Sequence, residues 1–190
     1  MDLKALLNKP LPKVSNQQSH KASRIFRIET MDLTFSNGTK ATYERIAGGH
    51  GAVMAVPYDG KHFYLTVEYS GGVMEYMLGL VKGKIDAGES AEEAVVRELK
   101  EEIGFGANKT TLLKHEMTVA PGMLSLKMYC YLCEDLYECA LDGDEPEPID
   151  LVKLTPDEVK DLIFDPDSVL TEGRTIAALT LALRKIGALN

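Results

Sequence analysis

Strand-like runs dominate the first and middle parts of the chain, and helical spacing punctuates them only after residue 90. Two β-rich runs, Ile25 to Phe35 and Thr39 to Ile46, flank Asn37-Gly38. That pair predicts a two-residue hairpin turn in which both central residues take positive φ. Ahead of them, the polar stretch broken by Pro10 and Pro12 predicts a loosely held arm. Gly48-Gly49 then breaks the chain, so the expected organisation is an arm at 1–23, a hairpin region at 24–48 and a main domain at 49–190. Ala52 to Tyr58 and His62 to Tyr69 predict a second hairpin around Asp59-Gly60. Met74 to Leu80 reads as a short strand followed by a glycine-punctuated loop to Gly88.

Ser90 and Glu93 form a capping-box pair. Apolar residues recur at Val95, Val96, Leu99 and Ile103, and Gly104 stands where a left-handed helix end belongs. Strands are expected at Thr111 to Val119, Lys127 to Glu134 and Ile149 to Leu154, the last preceded by an acidic loop over 142–148. Thr155-Pro156-Asp157-Glu158 opens a further helix, and Thr171 to Ile186 reads as a closing amphipathic one. The fold class that follows is α+β, a mixed sheet between helices.

A chain of 190 residues with 45% apolar content can bury a substantial core. Its net charge of −8 argues against a nucleic-acid binder, which needs a basic face to displace counterions. An anionic substrate would then require metal ions. Cys130, Cys133 and Cys139 form no disulfide framework, the first residues lack a signal-peptide core, and no apolar run would span a bilayer, so a cytoplasmic location is expected. Cys130 and Cys133 point to opposite faces of a strand and read as buried thiols rather than a zinc site. The four histidines are scattered without ligand spacing.

Helical geometry gathers Glu98, Glu101 and Glu102 within an arc of about 100° beside the apolar sector. Like charges so placed destabilise a helix unless a cation sits among them. Carboxylate oxygens suit Mg²⁺ or Mn²⁺. A solvated acidic stripe balanced by Arg97 and Lys100 is the competing reading. Spacing decides between them: Gly83, Glu89, Arg97-Glu98-Leu99, Glu101-Glu102, Gly104 and Phe105 reproduce G-x5-E-x7-R-E-U-x-E-E-x-G-U, with Phe105 departing from the aliphatic U. This pattern resembles the Nudix box.

The resemblance implies an α/β/α sandwich that splits a nucleoside diphosphate from a second moiety by water attack at phosphorus. It implies Glu98, Glu102 and the Lys82 carbonyl as ligands for two or three Mg²⁺ or Mn²⁺ ions, with Glu101 a further ligand or base. Arg97 and Glu89 then pair to lock the loop onto the helix. Glu75, eight residues before Gly83, and the Ala120-Pro121-Gly122 turn are similar to the ADP-ribose pyrophosphatase group; within it, Tyr43-Glu44-Arg45, Glu68-Tyr69, Asp135-Leu136-Tyr137 and Gly143-Asp144-Glu145-Pro146-Glu147-Pro148 resemble hydrolases of ADP compounds, which implies ADP-ribose, NADH and short diadenosine polyphosphates as substrates and AMP as product. Val67 and Leu80-Val81-Lys82 depart from that group's usual residues. Glu145 and Glu147 in the acidic loop are candidates for the base or a third-metal ligand, against a plain solvated loop. Tyr43, Arg45, Tyr69 and Glu75 are candidate substrate contacts, against ordinary packing roles. A Nudix-fold module that binds without catalysis is the alternative, and the presence of all four box glutamates weighs against it. A two-stranded hairpin must bury its apolar face, provided here by Ile25, Phe26, Ile28, Leu33 and Phe35, on its own domain or on a partner; the similarity to ADP-ribose enzymes that exchange this region implies a homodimer with exchanged hairpins.

Overall fold

In the computed structural model, which describes residues 2–143 and 146–189, the polar N-terminal stretch has regular structure. Leu3–Leu7 is a short helix (α1) capped by Asp2, and Lys13–Lys21 is a strand (β1) exposed at every position. The strand pairs antiparallel with β2 (Arg27–Thr34), which pairs with β3 (Lys40–Ile46). Its polar sequence carries no alternation to betray it; backbone bonding to β2 orders it, with a bulge where Asn16 takes φ 48° and its amide donates to Asp32 at 2.8 Å.

The turn between β2 and β3 also differs from the expected one. The Phe35 carbonyl accepts from Gly38 N at 2.9 Å, Phe35 N donates to the Thr39 carbonyl, and Gly38 alone takes positive φ, +85°. Asn37 instead spends its side-chain oxygen on Thr39 N at 3.0 Å. The expected apolar face is smaller than the sequence suggests: Leu33 is buried, but Ile25 and Phe26 lie ahead of β2 and stay 64% and 48% exposed. Residues 1–49 group with 120–126 into one compact unit, in which Ile46 bridges Leu124 and Ser125 Oγ accepts from Gly48 N at 2.8 Å.

The second unit holds residues 50–119 and 127–190. The expected hairpin around Asp59-Gly60 is a corner rather than a pair: β4 (Ala52–Pro57) and β5 (Phe63–Ser70) meet only at the bridge from Tyr58 to Phe63. Asp59 fixes the reversal by accepting from Lys61 N and His62 N, and these bonds hold its carboxyl down at about 2 despite its partial burial. Beyond it the strands part because each has two other neighbours. β4 lies between β7 (Lys82–Lys84) and β9 (Lys127–Glu138), and β9 pairs with β8 (Phe105–Thr118). β5 lies between β10 (Asp150–Leu154) and β6 (Glu75–Gly79). The first sheet is mixed, since β4 runs parallel to β9 and antiparallel to β7.

β8 begins six residues earlier than expected, immediately after the helix end. Its opening Phe105-Gly106-Ala107-Asn108 looks turn-like, yet Gly106 pairs with Tyr137, whose ring fills the space a side chain at 106 would need. Helix α2 (Ala91–Ile103) packs on one face of the mixed sheet, burying Ala94, Val95 and Leu99 against Val53, Ala55, Val81, Ala107 and Cys133. Burial of a side chain such as Leu99 contributes roughly 2 kcal/mol. Strand alternation sends Met54 and Val56 to the other face. Helix α4 (Gly173–Lys185) packs on β4 and β8, with Ala178, Leu179, Ala182 and Leu183 buried, and α3 (Pro156–Phe164) joins α4. The result is the α/β/α arrangement the sequence resemblance implied. Among the described residues no helix is long and apolar enough to cross a membrane.

Candidate active site

Both ends of α2 are as the sequence predicts: Ser90 and Glu93 form a reciprocal capping box, and Gly104 closes the helix at φ 73°. This fixes the helix register, and with it the direction in which the glutamates project. Gly83, in β7 opposite Val53, lies directly against that face. A Cβ at residue 83 would stand 1.9 Å from the Glu98 carboxyl, so glycine there makes room for the carboxylate.

Arg97 is the hub of the cluster. Its guanidinium donates to both oxygens of Glu89, to Glu98 at 2.8 Å, to Glu101 at 2.8 Å and to the Lys84 carbonyl at 2.9 Å. Helix face, loop and β7 are thereby tied together by one planar cation, a task its forked geometry suits. Hydrogen bonds from Arg97 hold the Glu89 carboxyl below its usual range, and Arg97 is itself held firmly charged. Glu98 behaves oppositely: burial pushes its carboxyl up, and Arg97 offsets this only in part.

Glu102 is the carboxylate of the group most affected by burial. One oxygen accepts from Lys82 N at 3.3 Å; the other is buried without a partner. Burial pushes its pKa up to about 8, with Lys82 pulling down and Glu68 and Glu98 pushing further up. The Lys82 ammonium is engaged elsewhere, in an ion pair with Glu68. Among the described residues no three His, Cys, Asp or Glu side chains already converge on one ion-sized point, since Arg97 lies between Glu98 and Glu101. The donor set nevertheless fits a hard divalent cation: its atoms are all oxygen, burial pushes the Glu98 and Glu102 carboxyls up, and one buried oxygen has no partner.

These groups line an open cleft of about 470 Å³ with Lys82, Lys84, Asp86, Asp142 and Gly143. The last two were not expected. Cys139 N donates to the Gly104 carbonyl and Leu141 N to the Lys100 carbonyl, so the start of the acidic loop is fastened beside the C-terminal turn of α2. No sequence spacing signals this tether. Nor does the sequence indicate that Glu68 and the Lys82 side chain form a pair.

Of the other candidates, Glu147 lies outside this lining. It accepts from the Tyr76 hydroxyl at 2.8 Å and borders a small pocket of about 70 Å³ with Glu68 and Tyr69. Glu145 falls outside the described residues. Tyr69 is about half exposed and meets Tyr76 edge to face at 5.6 Å, and Glu75 is exposed at the start of β6. In the N-terminal unit, Tyr43 is half exposed beside Phe35, and Arg45 is paired with Glu29 at 2.6 Å.

Comparison with known proteins agrees with this geometry. Residues 12–45 match the NudE-type Nudix hydrolase N-terminal domain, and residues 48–182 match the NUDIX domain. The chain is 45% identical over 171 residues to ADP compounds hydrolase NudE of Escherichia coli (strain K12), covering 90% of each chain. It is 27% identical over 146 residues to ADP-ribose pyrophosphatase of Bacillus subtilis (strain 168), covering 75% of this chain and 77% of that one. A solved crystal structure of an ADP compounds hydrolase superposes with a TM-score of 0.85 at 43% identity, covering 95% of this chain and 98% of the other. Enzymes of this kind generally use divalent metal ions. With its box intact and its fold and sequence matched over most of its length, the chain belongs to the Nudix hydrolase family.

Proposed function

We propose that this hydrolase cleaves the diphosphate linkage of ADP conjugates, with ADP-ribose, NADH and short diadenosine polyphosphates as substrates and AMP as a product. The observation that carries the reading is the 45% identity to a protein named for ADP compounds, joined to a cleft lined by Glu98, Glu101 and Glu102, with Glu89 bonded to Arg97 behind them. Glu98 and Glu102, with the Lys82 carbonyl, would hold two or three Mg²⁺ or Mn²⁺ ions, and Glu101 would be a further ligand or the base. Bound cations would neutralise the diphosphate and acidify a water. Arg97 and Glu89 orient the carboxylates, with Arg97 Nη1 bridging Glu98 and Glu101. Glu147, held by Tyr76, and Glu145 are the loop candidates for the base. A panel of ADP conjugates scored for AMP release with Mg²⁺ or Mn²⁺ tests the reading: AMP from all three substrate types is expected. Release of nucleoside monophosphates only from non-adenine conjugates would overturn it.

The N-terminal region, residues 24–48, is proposed to serve dimerisation and substrate binding in a cytoplasmic homodimer, and residues 49–190 to form the hydrolase domain. Exposed Ile25, Phe26 and Tyr43 support a partner-facing role for this region. Tyr43 and Arg45 would then contact nucleotide held mainly by the other subunit, with Tyr69 and Glu75 contributing from the hydrolase domain. Sedimentation equilibrium should give about twice the 20.9 kDa chain mass. Mixing Arg45→Ala with Glu102→Gln chains should restore activity in hybrids; an inactive mixture of demonstrably exchanged chains would refute shared sites.

A further inference from the structure

The pair of Glu68 on β5 and Lys82 on β7 is left unused by the reading above, and its position next to Glu102 gives it a task. Lys82 acts on Glu102 in two ways: its backbone N–H donates to one oxygen of that carboxylate, and its ammonium acts on the same carboxyl through space. Left to itself, a flexible ammonium beside a buried carboxylate with a free oxygen would close onto it. The ammonium is instead turned toward Glu68, and Glu102 Oε2 stays without a partner. The seat for this diversion is built into the sheets. Lys82 Nζ and the hydroxyls of Thr66 and Thr175 surround the bare face of Gly79, each within 4.0 Å of where a Cβ would stand. Both members of the pair are three-quarters enclosed, at 26% and 23% side-chain exposure, so solvent does not readily replace either partner.

We infer that Glu68 is a positioning residue that holds the Lys82 ammonium off Glu102 and so keeps that carboxylate oxygen free for a divalent cation. The inference rests on the proposed ligand role of Glu102. It makes opposite demands on the two partners. Glu68→Gln releases the ammonium to capture Glu102, which must weaken cation binding. Lys82→Met removes the competitor, and binding is unchanged or tighter.

The test is titration of Mn²⁺ into the metal-free full chain by isothermal calorimetry, with circular dichroism confirming each fold. Glu68→Gln is expected to raise the Mn²⁺ Kd tenfold or more. Lys82→Met should bind at least as tightly as the parent, and the Glu68→Gln/Lys82→Met double variant should return to the parent value. Glu68→Asp, which retains the charge, should stay within about threefold. Parent-like binding by Glu68→Gln overturns the inference. So does a double variant as weak as Glu68→Gln alone, because Glu68 would then act on the cation directly. A Glu102→Gln chain that binds Mn²⁺ like the parent identifies a failure of the ligand reading instead.

Discussion

Glu102→Gln is expected to lower turnover on the order of a hundredfold or more at saturating Mg²⁺, while leaving the metal-free protein as stable as the parent or more so. Both halves follow from one observation, that Glu102 has a buried oxygen with no partner. The amide cannot supply the charge that a cation requires, so activity falls. It also cannot ionise, so a cost to the metal-free fold disappears. The pH dependence has a definite sign. The folded-state pKa, about 8, lies above the usual 4.5, so the unfolded chain releases this proton first. Rising pH between those two values therefore favours unfolding of the metal-free parent. Thermal melts across that window should show a decline in parent stability that Glu102→Gln lessens and that Mg²⁺ reverses. A variant with parent-like turnover would remove Glu102 from the site; a parent melt that rises through the window would contradict its buried, proton-retaining state.

Gly83→Ala is expected to damage the site almost as much, by sterics alone. The added methyl would stand 1.9 Å from the Glu98 carboxyl, inside any allowed contact, and the paired β4 and β7 backbones leave β7 little room to retreat. Glu98 must leave its place, and with it goes one hydrogen bond of Arg97. Mn²⁺ affinity should fall on the order of tenfold to a hundredfold, with turnover falling at least as far. Gly72→Ala is the matched control, because a Cβ there meets nothing within 4 Å, and it should behave as the parent. Calorimetric titration of both variants checks this, and an unaffected Gly83→Ala would mean that Glu98 has another productive position.

Much of this was legible in the chain itself because it is written in local chemistry. Ser90, Glu93 and Gly104 specify where α2 starts and stops, and helical periodicity then puts Glu98, Glu101 and Glu102 on one face and Leu99 in the core. The G-x5-E-x7-R-E spacing further identified the family, and the Arg97–Glu89 pair appears as the resemblance implied. What escaped was whatever depends on pairing between distant segments. β1 is polar on both faces and is ordered by backbone bonds to β2, which leave no mark on side-chain pattern. Asp59-Gly60 specifies a reversal but not a hairpin, since β4 takes β7 and β9 as neighbours and β5 takes β6 and β10, none of which the turn itself selects. The same holds at the site. Sequence placed the carboxylates on a helix, but only tertiary structure decided that Gly83 would face Glu98, that Leu141 would fasten the acidic loop to Lys100, and that Lys82 would turn to Glu68 and leave an oxygen of Glu102 free. Those are contacts across sheets and loops, fixed by how the layers pack rather than by any spacing along the chain.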